Sequence, residues 1–159
     1  MRWIEKRPLP KYLLNDNPRL DVAFRYWSDK RRGGLLPARS DVDTPAFRVL
    51  IGSSDWIDGS ASEPERWPLG LLQSYAGICG MRSDQTLGEL LRSDLATVAF
   101  TGSMLFQAVS IGRCDSNELY HVLVLPHADD GRRARDLLLL ANLVQPVTQP
   151  SAQQDVVMS

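Results

Sequence analysis

Three apolar segments in the last third of the chain carry its clearest pattern of hydrophobic and polar positions. They cover residues 104–111, 119–125 and 137–144, and turn-forming residues separate them at 112–117 and 129–131. Apolar segments of this length between such turns predict an antiparallel β-meander. The third segment contains four consecutive leucines, which lack β-branching, so a helix at 137–144 stays open as an alternative.

Both sides of these predicted strands are apolar. Phe106 and Ala108 fall on one side of the first strand, and Leu105 and Val109 fall on the other. An antiparallel sheet with one solvated face would instead alternate apolar and polar residues. We therefore predict that both faces of the sheet are covered. Internal helices would cover one face, and an N-terminal helix, a partner subunit or both would cover the other.

A helix is predicted to begin near residue 17 and to end before a pair of glycines. Asp16 or Asn17 is suited to the N-cap position and Pro18 to the first turn. Gly33 and Gly34 end the helical pattern.

One apolar stripe runs along this helix and is the candidate face for a dimer or a partner. Leu20, Phe24 and Trp27 recur at the i, i+4 and i+7 positions. Asp21 and Arg25 stand four residues apart and predict a weak ion pair.

The remaining segments predict a single domain with two flanking regions. Residues 47–53 predict a strand, residues 69–75 a weaker strand, and residues 86–95 a short amphipathic helix. Residues 1–15 are basic and contain two prolines, so we interpret them as an arm. The composition of residues 145–159 favours a disordered tail. The predicted domain covers residues 16–144.

The charge of the chain argues against broad binding to nucleic acid or to a membrane surface. The formal net charge is −1, although residues 1–32 hold nine Lys/Arg against four Asp/Glu. The N-terminal segment lacks the pattern of a signal peptide, and no apolar run is long enough to span a bilayer. We expect a cytoplasmic protein.

The cysteines and histidines do not form a catalytic or metal-binding pattern. Cys79 and Cys114 lack the spacing of a zinc site or a disulfide framework, and His121 and His127 have no third ligand nearby in sequence. We predict no catalytic residues, no metal site and no enzymatic activity. A small enzyme that uses Cys114 and His121 is kept as a remote alternative.

The order of several short motifs resembles the bacterial PAS-like domain family. Members have a helix that ends in Tyr-Trp, followed by a Leu-Pro-x-Arg-x-Asp-x-Asp segment. Tyr26-Trp27, Leu36-Pro37, Arg39, Asp41 and Asp43 match this opening. Residues 72–91 resemble the second strand and the helices that follow it, and residues 123–131 resemble the penultimate strand and its turn. Together these blocks cover about residues 24–144.

The resemblance implies an α+β fold and a regulatory role. The fold would be a five-stranded antiparallel sheet with short helices on one face and the N-terminal helix on the other. The function would be that of a sensory or regulatory module in bacterial signalling, with a homodimer or a signalling protein as partner. If a small-molecule ligand binds, we expect a pocket lined by Phe106, Tyr120, Leu87 and Leu91; no particular cofactor is indicated. The main alternative is a ligand-free protein-interaction adaptor that uses the basic N-terminal helix, and charge reversal at Lys30, Arg31 and Arg32 would test it.

Overall fold

The computed structural model describes residues 3–52, 54–58, 85–112, 116–131 and 134–148. Within these ranges the strands are β1 (Trp3–Pro8), β2 (Asp55–Asp58), β3 (Leu105–Gly112), β4 (Ser116–His127) and β5 (Asp136–Thr148). A 3-10 helix spans Lys11–Asp16, and the α-helices are α1 (Pro18–Lys30), α2 (Arg39–Val42), α3 (Pro45–Ile51) and α4 (Gln85–Thr101). The chain is therefore an α+β protein, as the sequence predicts.

The described strands form one antiparallel sheet in the order β1-β3-β4-β5-β2. β3, β4 and β5 pair consecutively, which confirms the predicted meander. The segment that was open between strand and helix is a strand, because β5 lies between β4 and β2. There its leucines, from Leu137 to Leu140, are all buried. Burial on both sides of a central strand outweighs the weak preference of leucine for helices.

The centre of the sheet is buried on both faces, as the apolar pattern predicts. Val122, Leu123, Val124 and Leu125 are each 0% exposed, and consecutive strand residues point to opposite faces. Both sides of β4 are therefore covered within a single chain.

Helix α1 covers the face that carries Leu123 and His121. Asn17 occupies the predicted N-cap position and Pro18 the first turn. The indole Nε1 of Trp27 donates a hydrogen bond of 2.8 Å to the carbonyl of Pro126 in β4. The predicted ion pair between Asp21 and Arg25 is present at 3.0 Å.

The apolar stripe of α1 is part of the core of its own chain. Leu20 and Ala23 are 0% exposed and Trp27 is 2% exposed, while Phe24 is half-buried. Leu20, Phe24 and Trp27 are expected either to cover the sheet or to form a face for a second subunit. The structure supports the first of these roles. Leu20 and Trp27 are not available as a face for a second subunit.

The side chain of Arg19 ties α1 to two other elements. Its guanidinium donates to the carbonyl of Ile51 at the end of α3 and to the carbonyl of Ala141 and the side chain of Asn142 in β5. Burial lowers the pKa of Arg19 from its ordinary value. Because an arginine remains protonated even after such a shift, it holds three acceptors in place through charged hydrogen bonds.

Helix α4 lies on the opposite face and is longer than the helix predicted at 86–95. A carboxylate of α4 joins this helix to two strands. Asp94 accepts hydrogen bonds from the ammonium of Lys6 in β1 at 2.8 Å and from the amide of Gln107 in β3 at 2.9 Å. Gln107 is 5% exposed, so water is largely excluded from its side-chain amide and Asp94 supplies the hydrogen-bond acceptor that the buried amide needs.

Replacing Asp94 with alanine is expected to lower the free energy of unfolding by about 1–3 kcal/mol, because Lys6 and Gln107 lose their acceptor. Urea unfolding followed by tryptophan fluorescence measures the change. The matched control is Asp29→Ala, at an exposed position near the end of α1, with an expected effect within about 0.5 kcal/mol. Equal stability of Asp94→Ala and the unaltered chain would contradict this role of Asp94.

The prediction of a strand at 47–53 is wrong for its described residues, because residues 47–51 belong to helix α3, while residue 53 lies outside the described part of the chain. The side chain of Thr44 accepts a hydrogen bond from the backbone N–H of Phe47, and Pro45 occupies the first turn of α3. Phe47 and Ile51, four residues apart, are buried on one side of that helix. The N-cap and the proline decide for a helix, because so short an apolar run fits the period of a strand and the period of a helix equally well.

Both ends of the chain also differ from the prediction. Trp3–Pro8 form β1 at the edge of the sheet instead of a free arm, and Pro8 is tolerated because it ends an edge strand. β5 continues to Thr148, so residues 145–148 belong to a strand and not to the predicted tail, and the rest of that tail lies outside the described residues. The strand predicted at 69–75 lies outside the described residues, and the division of the chain into domains stays a prediction.

Candidate functional site

The residues predicted to line a pocket do not meet on one face of the sheet. The ring of Phe106 contacts the ring of His121 on the face that α1 covers, with centroids 6.0 Å apart. Tyr120 precedes His121 in β4 and therefore points to the other face. Leu87 and Leu91 belong to α4, but their side chains lie outside the described part of the chain. Phe106 and Tyr120 cannot line the same cavity.

A different site forms where the Leu36-Pro37 step meets the turn between β4 and β5. The backbone N–H of Leu36 donates to the carbonyl of Gly131 at 2.7 Å, and the N–H of Ala128 donates to the carbonyl of Pro37 at 2.9 Å. Leu36 and Pro37 are both buried. Two distant segments are thus joined by backbone hydrogen bonds in the manner of neighbouring strands.

Gly131 is required at this junction for two reasons. Its φ angle is +76°, a conformation that side chains with a Cβ rarely adopt. A Cβ at this position would also lie 3.1 Å from the Cβ of Leu35, closer than ordinary van der Waals contact. Glycine at residue 131 therefore suits both the conformation of the turn and its close approach to Leu35.

A cavity of about 300 Å³, here called the α1–α2 groove, opens beside this junction. Its lining comes from the end of α1, the segment that follows, α2 and the β4–β5 turn. Apolar surface is contributed by Leu35, Leu36, Pro37, Ala38 and Ala128, and charged groups by Lys30, Arg32, Asp41, Asp129 and Asp130.

The charged side chains of the α1–α2 groove differ in how they are compensated. Asp129 pairs with Arg135 at 3.2 Å. The Nζ of Lys30 lies 5.2 Å from the ring centroid of Tyr26, a contact that supplies no negative charge. Within the described part of the chain, no ion pair involves Lys30, Arg32 or Asp41. The groove thus presents uncompensated charges of both signs.

On the other side of α2, Arg39 connects this helix to the sheet. Its guanidinium lies 3.6 Å from Asp43, 3.7 Å from Asp136 in β5 and 4.7 Å from the ring centroid of Trp56 in β2. Two residues along a helix are about 200° apart, so Arg39 and Asp41 point in nearly opposite directions. Helix α2 therefore has one charged residue at the groove and another against the sheet.

Asp43 completes this ion-pair network. It accepts a hydrogen bond of 2.8 Å from the Nε of Arg48 in α3. That bond, together with the charges of Arg48 and Arg39, lowers the pKa of the Asp43 carboxyl from its ordinary value. Asp43 is therefore ionised at neutral pH and holds the loop between α2 and α3.

Beneath this network lies His127, which is 0% exposed. Its Nδ1 is 3.0 Å from the carbonyl of Leu125, so Nδ1 carries the proton and donates it. Nε2 has no hydrogen-bond partner, and the ring packs edge-on to Trp56 with centroids 4.6 Å apart. Burial, aided by the charge of Arg39, lowers the pKa of His127 to about 4. The carbonyls of Leu125 and Asp136 both favour the protonated ring, but only that of Leu125 meets the geometry of a hydrogen bond. His127 is therefore a neutral core residue at neutral pH.

His121 is held by a different partner. The Nδ2 of Asn17 lies 3.0 Å from the Nδ1 of His121 and also donates to the carbonyl of Leu13 at 3.0 Å. Burial lowers the pKa of His121 from its ordinary value. The pairing of His121 with Cys114 stays untested, since Cys114 lies outside the described residues. Among those residues, no group of three His, Cys, Asp or Glu side chains is arranged to hold a metal ion.

Most residues around the α1–α2 groove belong to patterns that are visible in the sequence, but those patterns do not place them together. Leu36-Pro37 and Asp41 belong to the first matching block, and Asp129 to Gly131 belong to the last. No local pattern indicates that these two blocks touch. Correlated substitutions between positions of the two blocks, seen across related sequences, are the kind of signal that indicates such a contact.

The functional site must therefore be interpreted from its own geometry. Among the helices that the structure describes, none is long and apolar enough to cross a membrane. No protein-family model, no curated protein and no solved structure matches the chain.

Proposed function

We propose that the chain is a non-catalytic PAS-like sensory or regulatory module of bacterial signalling. It acts by forming a homodimer or binding a signalling protein, and a small molecule in the α1–α2 groove is its input. The observation that carries this proposal is the junction of Leu36-Pro37 with the β4–β5 turn. The first and last blocks of the family resemblance meet there through backbone hydrogen bonds.

The connections around the groove support a regulatory role. Trp27 anchors α1 to β4, and α1 ends at the groove. Arg39 links α2 to Trp56 and Asp136, which belong to β2 and β5. A ligand that displaces either helix would therefore alter contacts with the sheet, and energetic coupling through packed elements of this kind is the physical basis of allostery.

Native mass spectrometry of the purified chain tests this proposal. We expect a species of twice the 17.8 kDa chain mass, a retained small molecule, or both. Spectra across a range of protein concentrations, with size-exclusion chromatography alongside, separate a true dimer from association during ionisation. A monomer without a bound molecule at every concentration would contradict the homodimer and a tightly held ligand, and would leave the binding of a signalling protein as the only mode of action.

A ligand-free adaptor is the second candidate, and the exposed cations at the end of α1 favour it. Lys30 and Arg32 are exposed, whereas Arg31 stacks on Trp27 at 4.8 Å and bonds to the carbonyls of Gly34 and Leu35. Charge reversal should therefore be confined to Lys30 and Arg32, because replacing Arg31 would also disturb the fold. Partner binding that is unchanged by Lys30→Glu and Arg32→Glu would speak against the adaptor.

A further inference from the structure

We infer that the α1–α2 groove binds a small zwitterionic molecule, one with an ammonium group and a carboxylate, as in a free α-amino acid. This inference rests on the proposed function and deepens it by naming the chemical class of the ligand. It follows from the charges that line the groove, from its size and walls, and from the position of Asp41 on α2.

The first argument is the presence of uncompensated charges of both signs in one cavity. Lys30 and Arg32 supply positive charge, and Asp41 supplies a carboxylate that no other residue in the described part of the chain pairs with. A simple anion entering the groove would meet the carboxylates, and a simple cation would meet Lys30 and Arg32. A ligand with both charges satisfies the two sets together, because each end faces groups of opposite sign.

The second argument is the size and composition of the walls. A volume of about 300 Å³ lies at the small end of the range for ligand pockets, roughly 300–1,000 Å³. Leu35, Pro37 and Ala128 line the groove together with the charged groups. This combination fits a compact molecule with a short apolar side chain and two charged ends.

The third argument is that the side chain of Asp41 makes no ion pair within the described part of the chain. Arg39 and Asp43, its neighbours in the same charge pattern, both belong to the ion-pair network against the sheet. Asp41 is exposed and lines the groove. A ligand that engages Asp41 would act on α2, a single turn of four residues, and thereby on the contacts of Arg39.

The test uses the full chain and the twenty common amino acids as individual probes. Ligand-observed NMR at millimolar concentration identifies any that bind, and isothermal titration calorimetry then gives the dissociation constant. We expect at least one to bind, with affinity about tenfold weaker in Asp41→Asn and in Arg32→Gln, as for the loss of one charged contact. Asp29→Asn, an exposed aspartate of α1 that does not line the groove, is the matched control and should bind like the unaltered chain.

Two blocked forms of the best probe decide whether both charges are recognised. The N-acetyl form lacks the ammonium group and the amide form lacks the carboxylate, and both should bind at least tenfold more weakly. Undiminished binding of either form would overturn the inference, as would the absence of binding by all twenty probes. A dimer or a different retained molecule in native mass spectrometry would then leave the proposed function standing, so the two failures are distinguishable.

Discussion

Replacing Trp27 with alanine is expected to lower the free energy of unfolding by about 3–5 kcal/mol. The side chain is 2% exposed and lies between α1 and the sheet. Its loss removes a large apolar contact and also the hydrogen bond from Nε1 to the carbonyl of Pro126. The guanidinium of Arg31, which lies 4.8 Å from the Trp27 ring centroid, would lose its aromatic partner as well.

Two further variants separate packing from hydrogen bonding at Trp27. Trp27→Phe keeps much of the apolar contact but leaves the Pro126 carbonyl without its donor, at an expected cost of about 1–3 kcal/mol. Phe100→Ala removes an aromatic ring that is 93% exposed and should change stability by less than about 0.5 kcal/mol. Urea unfolding measured by far-UV circular dichroism avoids dependence on the tryptophan signal. A small effect of Trp27→Ala would show that α1 does not stabilise the sheet.

Acidification is expected to destabilise the protein through His127 between pH 6.5 and about pH 4. The pKa of His127 is lowered to about 4 in the folded chain, whereas the ordinary value is 6.5. Above pH 6.5 the ring is neutral in both states, so this contribution to stability is fully present. As the pH falls, the unfolded chain binds the proton first, and the loss reaches about 3 kcal/mol near pH 4. Arg39 and Asp43 are the charged groups that act on the ring, and Asp136 acts on it through its backbone carbonyl.

Comparison with His127→Phe isolates this effect from the carboxylates that also titrate in acid. The free energy of unfolding is measured by urea titration at several pH values from 7.5 to 4.5 for both proteins. His127→Phe should lose markedly less stability over this interval than the unaltered chain. His121→Gln is the matched control, because His121 is only partly buried and should contribute a smaller slope. Parallel curves for His127→Phe and the unaltered chain would rule out His127 as the main source.

The sequence predicts the elements best where a pattern is long and has one interpretation. The apolar residues on both sides of 119–125 indicate a strand covered on both faces, and β4 is buried on both faces. Asn17 and Pro18 mark the beginning of α1 correctly. At 47–53 the pattern is too short to separate a strand from a helix, and the cap at Thr44 decides the outcome.

The candidate site was far less accessible to sequence reasoning. Phe106 and Tyr120 lie in the neighbouring strands β3 and β4, yet they project from opposite faces and share no cavity. The α1–α2 groove depends on a contact between Leu36 and Gly131, which lie far apart in sequence. A contact between distant segments leaves no periodic pattern in the sequence of either segment, so neither segment alone predicts it.

The sequence by itself determined the paired apolar faces of the strands, the beginning of α1 and the regular charges at Arg39, Asp41 and Asp43. These properties depend on periodicity and on local preferences of the backbone. Only the tertiary structure decided that the stripe with Leu20 and Trp27 covers the chain's own sheet. It also gave the three regular charges different surroundings, with Arg39 and Asp43 in an ion-pair network and Asp41 at the groove. The reason is that spacing sets the direction of a side chain, whereas its partner depends on which distant segments pack beside it.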